Sequence, residues 1–281
     1  MTEGRLVLVG TPIGNLGDLS PRAIDVLSTA QIVAAEDTRR TRALLTHAGI
    51  SARGRLVSVH EHNEHQRAAE FVHAIRDGAT VAVVTDAGMP GISDPGAHLV
   101  AVCAAEGIPV EVVPGPSAVI AALVVSGLAT DRFTFEGFLP RKGPTRRARL
   151  AEIATRATTT VIFEAPGRVA ATLGDLAGAC GTDRRVAVAR ELTKVHEAVL
   201  RATLADAMRH VEVHAPRGEH VIVLDGAPAP GESTDDEVAS GARHELAAGG
   251  STREAADRLA ERLGVSRRRA YAAVLAARSA Q

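Results

Sequence analysis

Short apolar runs alternate with longer stretches in which apolar residues recur every three or four positions. The runs at 5–10, 32–35, 56–60, 80–85 and 110–113 predict strands, because they are short and almost uniformly apolar. The amphipathic stretches at 38–48, 64–77 and 97–106 predict helices closed by Gly49, Gly78 and Gly107. Another helix opens at Ser20-Pro21, with Ser as cap and Pro in the first turn. "PGPSAVIAALVVSGL" at 114–128 is a turn feeding an apolar helix. Strands alternating with helices imply a largely parallel sheet covered on both faces, an α/β class.

A second set of units follows. "FTFEGF" at 133–138 predicts a sixth strand, and "LPRKGPT" after it reads as a hinge. Helices are expected at 146–156, 169–179 and 204–210, and strands at 159–163, 185–191, 197–202 and 220–225. "GAPAPGESTDD" at 226–236 is a linker by composition. The tail then pairs two short helices across Gly264. Ser251 and Glu254 form a capping box. Ala255, Ala256, Leu259 and Leu263 line the inner face of the first helix, and Tyr271, Val274 and Leu275 that of the second, which Ser266 caps. This pattern resembles a helix-turn-helix with Arg267, Arg268 and Arg269 where a recognition helix meets nucleic acid. A helical hairpin with a solvated basic face is the plainer alternative. The expected division is 1–139, 140–228 and 229–281.

Ligands of parallel sheets bind beyond the carboxyl ends of strands. Four loops converge on that edge: "GTPIGNLGD" (10–18), "EDTRRT" (36–41), "TDAGMPGISDPG" (85–96) and "PGPSA" (114–118). None is a P-loop or a GxGxxG turn, and HExxH and GxSxG are absent. "VHEHNEH" (59–65) spans a strand end and a helix start, which scatters its histidines, so no metal site is expected. Asp86 at a strand end, backbone near Gly88 and Gly91, and Ser117 at a helix start leave a site of amides, hydroxyls and carboxylates. Such a site suits an adenosine-like ligand with ribose hydroxyls and mixed charge.

Charge changes the picture only locally. The 281 residues carry 32 basic and 33 acidic side chains, so no global field announces a nucleic-acid partner. "RKGPTRRAR" at 141–149 holds five basic residues and no acid. The segment 251–281 has a net charge of +4, and 232–250 one of −4. Only two basic residues are lysine, Lys142 and Lys194, and only two asparagines occur, Asn15 and Asn63. Cys103 and Cys180 fall in apolar helical contexts and read as core. No run is long enough to span a membrane and no leader pattern opens the chain, so a cytoplasmic location is expected.

"LVGTPIGNLGDLSPRA", "AAEDTRRTRALL", "HEHNE", "TDAGMPGISDPG", "VPGPSA", "FEGFLPRK", "FEAPGR" and "ARELTKVHE" occur in that order. Together they resemble the small-subunit ribosomal RNA 2′-O-ribose methyltransferases of the tetrapyrrole-methylase superfamily. The resemblance implies two α/β domains with a cleft for S-adenosylmethionine, a small terminal helical domain and a homodimer. It implies methyl transfer to a cytidine 2′-hydroxyl in the decoding region of 16S ribosomal RNA. Carried over by motif, Pro12, Asp86, Gly88, Ile92, Ser93, Ser117 and Ala118 would hold the cofactor from the first domain. Phe163, Glu164 and Leu192 would close on it from the second. Gly167 stands where the family usually has histidine, and Met89 and Gly91 replace other small or aliphatic residues.

A base near the hydroxyl would help the transfer, and Lys142, Glu191 and Lys194 are the candidates. A lysine base needs a depressed pKa, and Arg141 and Arg190 are close in sequence. The plainer role for both lysines is to bind RNA phosphate. Arg141, Arg146, Arg147 and the tail arginines would provide further RNA contacts. A small-molecule tetrapyrrole methyltransferase and a nucleotide-sensing helix-turn-helix regulator are the competing readings.

Overall fold

The computed structural model describes residues 4–52, 54–60, 62–228 and 235–279. The chain divides into two compact units, 1–226 and 227–281. The first sheet is built from β1 (Arg5–Val9), β2 (Ile32–Ala35), β3 (Leu56–Ser58), β4 (Thr80–Val84) and β5 (Val110–Val113). All its pairings are parallel, in the order β3-β2-β4-β1-β5. Helices α1 (Pro21–Thr29) and α2 (Thr38–His47) cover one face, and α3 (Glu64–Arg76) and α4 (Ala97–Ala105) the other. Val7, Val9, Val33 and Val84 pack with Leu27 and Leu45 on the first face. Leu6, Val81 and Val83 pack with Phe71, Ile75 and Leu99 on the second. Burial on both faces is why the central strands β1, β2 and β4 read as near-continuous apolar runs. The predicted start of α1 holds: the Ser20 hydroxyl accepts from the Ala23 amide at 3.1 Å.

Helix α5 (Ala118–Ser126) leaves the first sheet and packs on the second. The second sheet contains β6 (Phe133–Phe138), β7 (Thr159–Glu164), β8 (Arg185–Arg190), β9 (Ala198–Thr203) and β10 (His220–Leu224). Its order is β6-β7-β10-β8-β9. Val119, Ala122 and Leu123 of α5 bury against Val161, Ala187 and Val221. The opposite face carries α6 (Pro144–Thr155), α7 (Val169–Cys180) and α8 (Leu204–Val213). This sheet, for which the sequence pattern predicted no strand direction, is mixed. Only β6–β7 is parallel, and the other three pairings are antiparallel. The seven-residue link 191–197 between β8 and β9 is too short for the crossover that parallel neighbours require.

The terminal unit is a three-helix cluster of α9 (Asp235–Ala247), α10 (Thr252–Leu263) and α11 (Arg267–Ser279). Sequence reasoning found the last two and missed α9, whose start it took for linker; 229–234 of that linker lie outside the described residues. Val238 and Ala242 of α9 pack with Leu259, Ala270 and Val274. The Ser251–Glu254 capping box is present, and Gly264 ends α10 in the left-handed conformation. The inner face of α11 is nevertheless corrected. Tyr271 and Leu275 are about half exposed, whereas Ala270 and Val274 are buried. The small alanine lets three short helices approach closely.

Candidate functional site

The loops at the carboxyl edge of the first sheet knit together through backbone. Thr11 and Gly88 exchange two hydrogen bonds, at 2.9 and 3.1 Å. The buried Thr11 hydroxyl donates to the Thr85 carbonyl at 3.2 Å. Gly10 and Gly115 meet so closely that a Cβ on Gly10 would lie 2.6 Å from the Gly115 Cα. The 10–18 loop also meets "ELTK" from the second sheet. A Cβ on Gly14 would sit 2.4 Å from Cγ of Lys194 and 2.8 Å from the Thr193 hydroxyl. Glu191 and Thr193 take left-handed backbone, φ 51° and 65°, which is costly for side-chain-bearing residues. Leu192 between them lines the cleft.

A cavity of about 390 Å³ opens between the two sheets, within the size range of small-ligand sites. Of the predicted cofactor residues, Asp86, Ser93, Ala118, Phe163, Glu164 and Leu192 line it. Pro12, Gly88, Ile92 and Ser117 are not in its wall. Pro12 and Gly88 are buried in the loops behind it, Ser117 caps α5, and Ile92 is half exposed beside Ser93. Sequence reasoning missed Glu36, Arg40, Asp94, Phe138 and His220, which also line it. Glu36 and Asp94 lie inside loops already noted, so loop position was an available signal. His220 had none.

Two sides of the cavity differ chemically. Phe163 makes edge-to-face contacts with Phe135 and Phe138, at centroid distances of 4.9 and 5.7 Å. A register shift between Phe135 and Gly137 in β6 brings Phe138 round to this wall. Across from it stand three carboxylates. Glu36 accepts from the Thr85 hydroxyl at 2.7 Å. Asp86 accepts from the Asp37 amide at 3.1 Å and pairs with Arg40 at 3.2 Å. Burial pushes the Asp94 carboxyl up to about 6, with the Glu36 and Asp86 charges adding to it and a Thr85 hydrogen bond opposing. Burial and Glu36 raise Asp86 as well. The site thus holds unneutralised negative charge facing an aromatic wall. Burial lowers His220, whose Nδ1 lies 3.2 Å from the Gly218 carbonyl.

The candidate bases behave differently from expectation. Burial alone would lower Lys194, but hydrogen bonds to Glu191 and Glu219 outweigh it and raise its pKa. Those contacts are 2.9 and 3.0 Å. Glu191 is held low by the Glu219 amide and by Lys194. A lysine locked as a cation and a carboxylate locked as an anion are both poor proton acceptors. Lys142 is exposed in the hinge.

Among the RNA candidates, Arg146 is corrected. It is buried and bonds Asp175 at 2.8 Å, the Pro140 carbonyl at 2.9 Å and the Thr172 hydroxyl at 2.9 Å. Thr172 in turn donates to Glu164 at 2.6 Å, so Arg146 braces the hinge and the cavity wall. Arg141 and Arg147 are exposed. In the terminal unit Arg267 pairs with Asp257 at 2.8 Å and Arg269 with Asp235 at 2.7 Å, while Arg268 is exposed. Glu245 accepts from Arg258 and Arg262 at 2.9 Å each. The acidic and basic segments of the tail therefore partly neutralise each other. Glu64 of "HEHNE" serves packing: it accepts from the amides of Gly96 and Leu99, capping α4. Among the described residues no group of three or more His, Cys, Asp or Glu is placed to hold a metal.

Two α/β lobes around an aromatic and acidic cleft, with hydrogen-bonded glycine loops on one rim, define the class. The chain belongs to the tetrapyrrole (corrin/porphyrin) methylase family, whose model matches residues 5–208. It is 46% identical over 270 residues to "Ribosomal RNA small subunit methyltransferase I" of Synechocystis, covering 95% of this chain and 96% of that protein. It is 46% identical over 279 residues to the protein of the same name in Mycobacterium tuberculosis, covering 99% and 97%. Among solved structures, a uroporphyrin-III C-methyltransferase of Thermus thermophilus complexed with S-adenosylhomocysteine shares the fold. Its TM-score is 0.55 at 22% identity, covering 78% of this chain and 97% of that one.

Proposed function

We propose that this chain transfers a methyl group from S-adenosylmethionine to a ribose 2′-hydroxyl of small-subunit ribosomal RNA, a cytidine of the 16S decoding region. The near-full-length likeness to the small-subunit methyltransferases carries this reading. The cleft fits the cofactor: a purine suits the Phe138–Phe163 wall, and a sulfonium and an ammonium suit the Glu36, Asp86 and Asp94 side. The cofactor supplies an already activated methyl group, so positioning and exclusion of water lower much of the barrier. Ser93, Ala118 and Leu192 shape the pocket, with Gly88, Pro12, Ile92 and Ser117 holding the loops behind it. Lys194, kept cationic by Glu191, and exposed Lys142 act as phosphate-binding groups rather than as bases. Arg141, Arg147 and Arg268 extend the RNA contact.

The functional division proposed is 1–139 and 140–228 for the two lobes, with 229–281 for RNA. We place the reaction in the cytoplasm; among the described residues no helix is long and apolar enough to cross a membrane. A homodimer is supported by an apolar surface on edge strand β5 and helix α5, where Val112, Ile120 and Val124 are 51%, 48% and 64% exposed. Val124→Glu is expected to shift the protein to monomer in light scattering; an unchanged mass would remove this face as the interface.

The deciding experiment gives labelled cofactor to small subunits lacking ribose methyl marks, then digests the RNA with alkali. Label in an alkali-resistant dinucleotide is the expected result. Label on a base overturns the ribose assignment. No label, with cofactor still bound, favours a small-molecule acceptor.

A further inference from the structure

Beside the cofactor cavity lies a second concavity, of about 460 Å³, lined by Arg190, His196, His214 and Arg217. Three separate segments build it: the end of β8, the link to β9, and the turn between α8 and β10. Among the described residues its one carboxylate is Glu191, whose charge is already met by Lys194 and the Glu219 amide, each at 2.9 Å. The Nε of Arg190 is buried and makes no hydrogen bond among the described residues. A buried donor without an acceptor is costly and calls for an explanation. The two concavities are adjacent along the chain. Arg190 stands opposite His220 in the β8–β10 ladder, and His220 and Glu219 line the cofactor cavity.

We propose that Arg190, Arg217, His196 and His214 form a phosphodiester subsite that seats an RNA backbone phosphate one step from the cofactor cavity. It rests on the reading of the substrate as RNA. Guanidinium groups suit phosphate oxygens by geometry as well as charge, and imidazole N–H groups add donors. A phosphate held here fixes the register of the strand, so that the neighbouring ribose lies at the mouth of the cleft. This positions the substrate without reading its bases.

The test compares wild type with Arg217→Gln and with Arg190→Gln/Arg217→Gln, using the full chain. The first probe is a single-stranded RNA dodecamer, with affinity measured against salt. One lost phosphate contact is expected to flatten the log–log salt slope by about 0.7 and to weaken binding about tenfold. S-adenosylhomocysteine affinity is expected to stay within about twofold. Arg217 is exposed, so its single variant keeps the test valid where the double variant loses its fold. The second probe is methyl transfer to small subunits, where KM for the subunit is expected to rise with KM for cofactor unchanged. Wild-type slope and affinity in both variants overturn the subsite, whatever the methylation result. A wild type that binds RNA but labels no small subunit overturns the methylation reading and leaves the subsite standing.

Discussion

At the residue scale, the cleft holds negative charge that folding does not favour. Asp94 titrates near pH 6 in the folded chain against an ordinary 3.8. The folded state therefore binds this proton more tightly than the unfolded one. The penalty for ionising Asp94 is absent below about pH 3.8 and complete above about pH 6. Asp94→Asn is expected to raise the thermal midpoint at pH 7.5, with the gain shrinking as pH falls from 6 towards 4. A cationic cofactor draws on the same charge. Wild-type affinity for S-adenosylmethionine should fall below pH 6, and the variant should bind more weakly at pH 7.5 with a flatter profile. Calorimetry and ligand titration across pH 5–8 read both; a variant no more stable at pH 7.5 would refute the assignment. Two neighbouring arginines make a contrasting pair. Arg146→Ala strands Thr172, Asp175 and the Pro140 carbonyl and should cost about 2–4 kcal/mol, reduced because Asp175 stays half exposed. Arg147→Ala, exposed, should stay within about 0.5 kcal/mol. Urea melts separate the two outcomes.

At the element scale, what the sequence revealed depended on what each element packs against. The β2 bounds were legible to the residue, because both-face burial writes that strand as a continuous apolar run, whereas the bounds of the largely exposed edge strand β5 were legible because Pro109 and Pro114 bracket its valines. Strand direction in the second sheet was not legible, since it follows from which strands pair. The short β8–β9 link was the clue within reach. Helix α9 was hidden because its acidic start looks like linker and its packing face is sparse, carried by Val238, Ala242 and the half-buried Leu246. The cleft was half legible: glycine loops mark backbone approach, whereas Phe138 and His220 reach the cavity only through a bulge and a strand order. "HNE" is legible only after folding. Glu64→Ala leaves the Gly96 and Leu99 amides without their carboxylate and should cost about 1 kcal/mol, as for loss of a helix cap. Because α4 follows the 85–96 loop, weaker cofactor binding should accompany the lower urea midpoint.

At the scale of the whole molecule, the two units have separate cores. Among the described residues the terminal core draws on α9, α10, α11 and the residues joining them, and the methylase body closes its own on both faces of each sheet. Charge in the tail is also largely internal, with Glu245, Asp257 and Asp235 meeting four of its arginines. Removing 229–281 should therefore leave the body folded, with its thermal transition and cofactor affinity close to those of the full chain. RNA binding should weaken, but by less than seven arginines in 251–281 would suggest, since paired arginines must first give up a carboxylate. A salt-slope loss of about one to two phosphate equivalents is expected. A slope unchanged by the truncation would confine RNA contact to the methylase body. A collapse of the body would mean that its stability depends on the tail, contrary to the independence of the two cores.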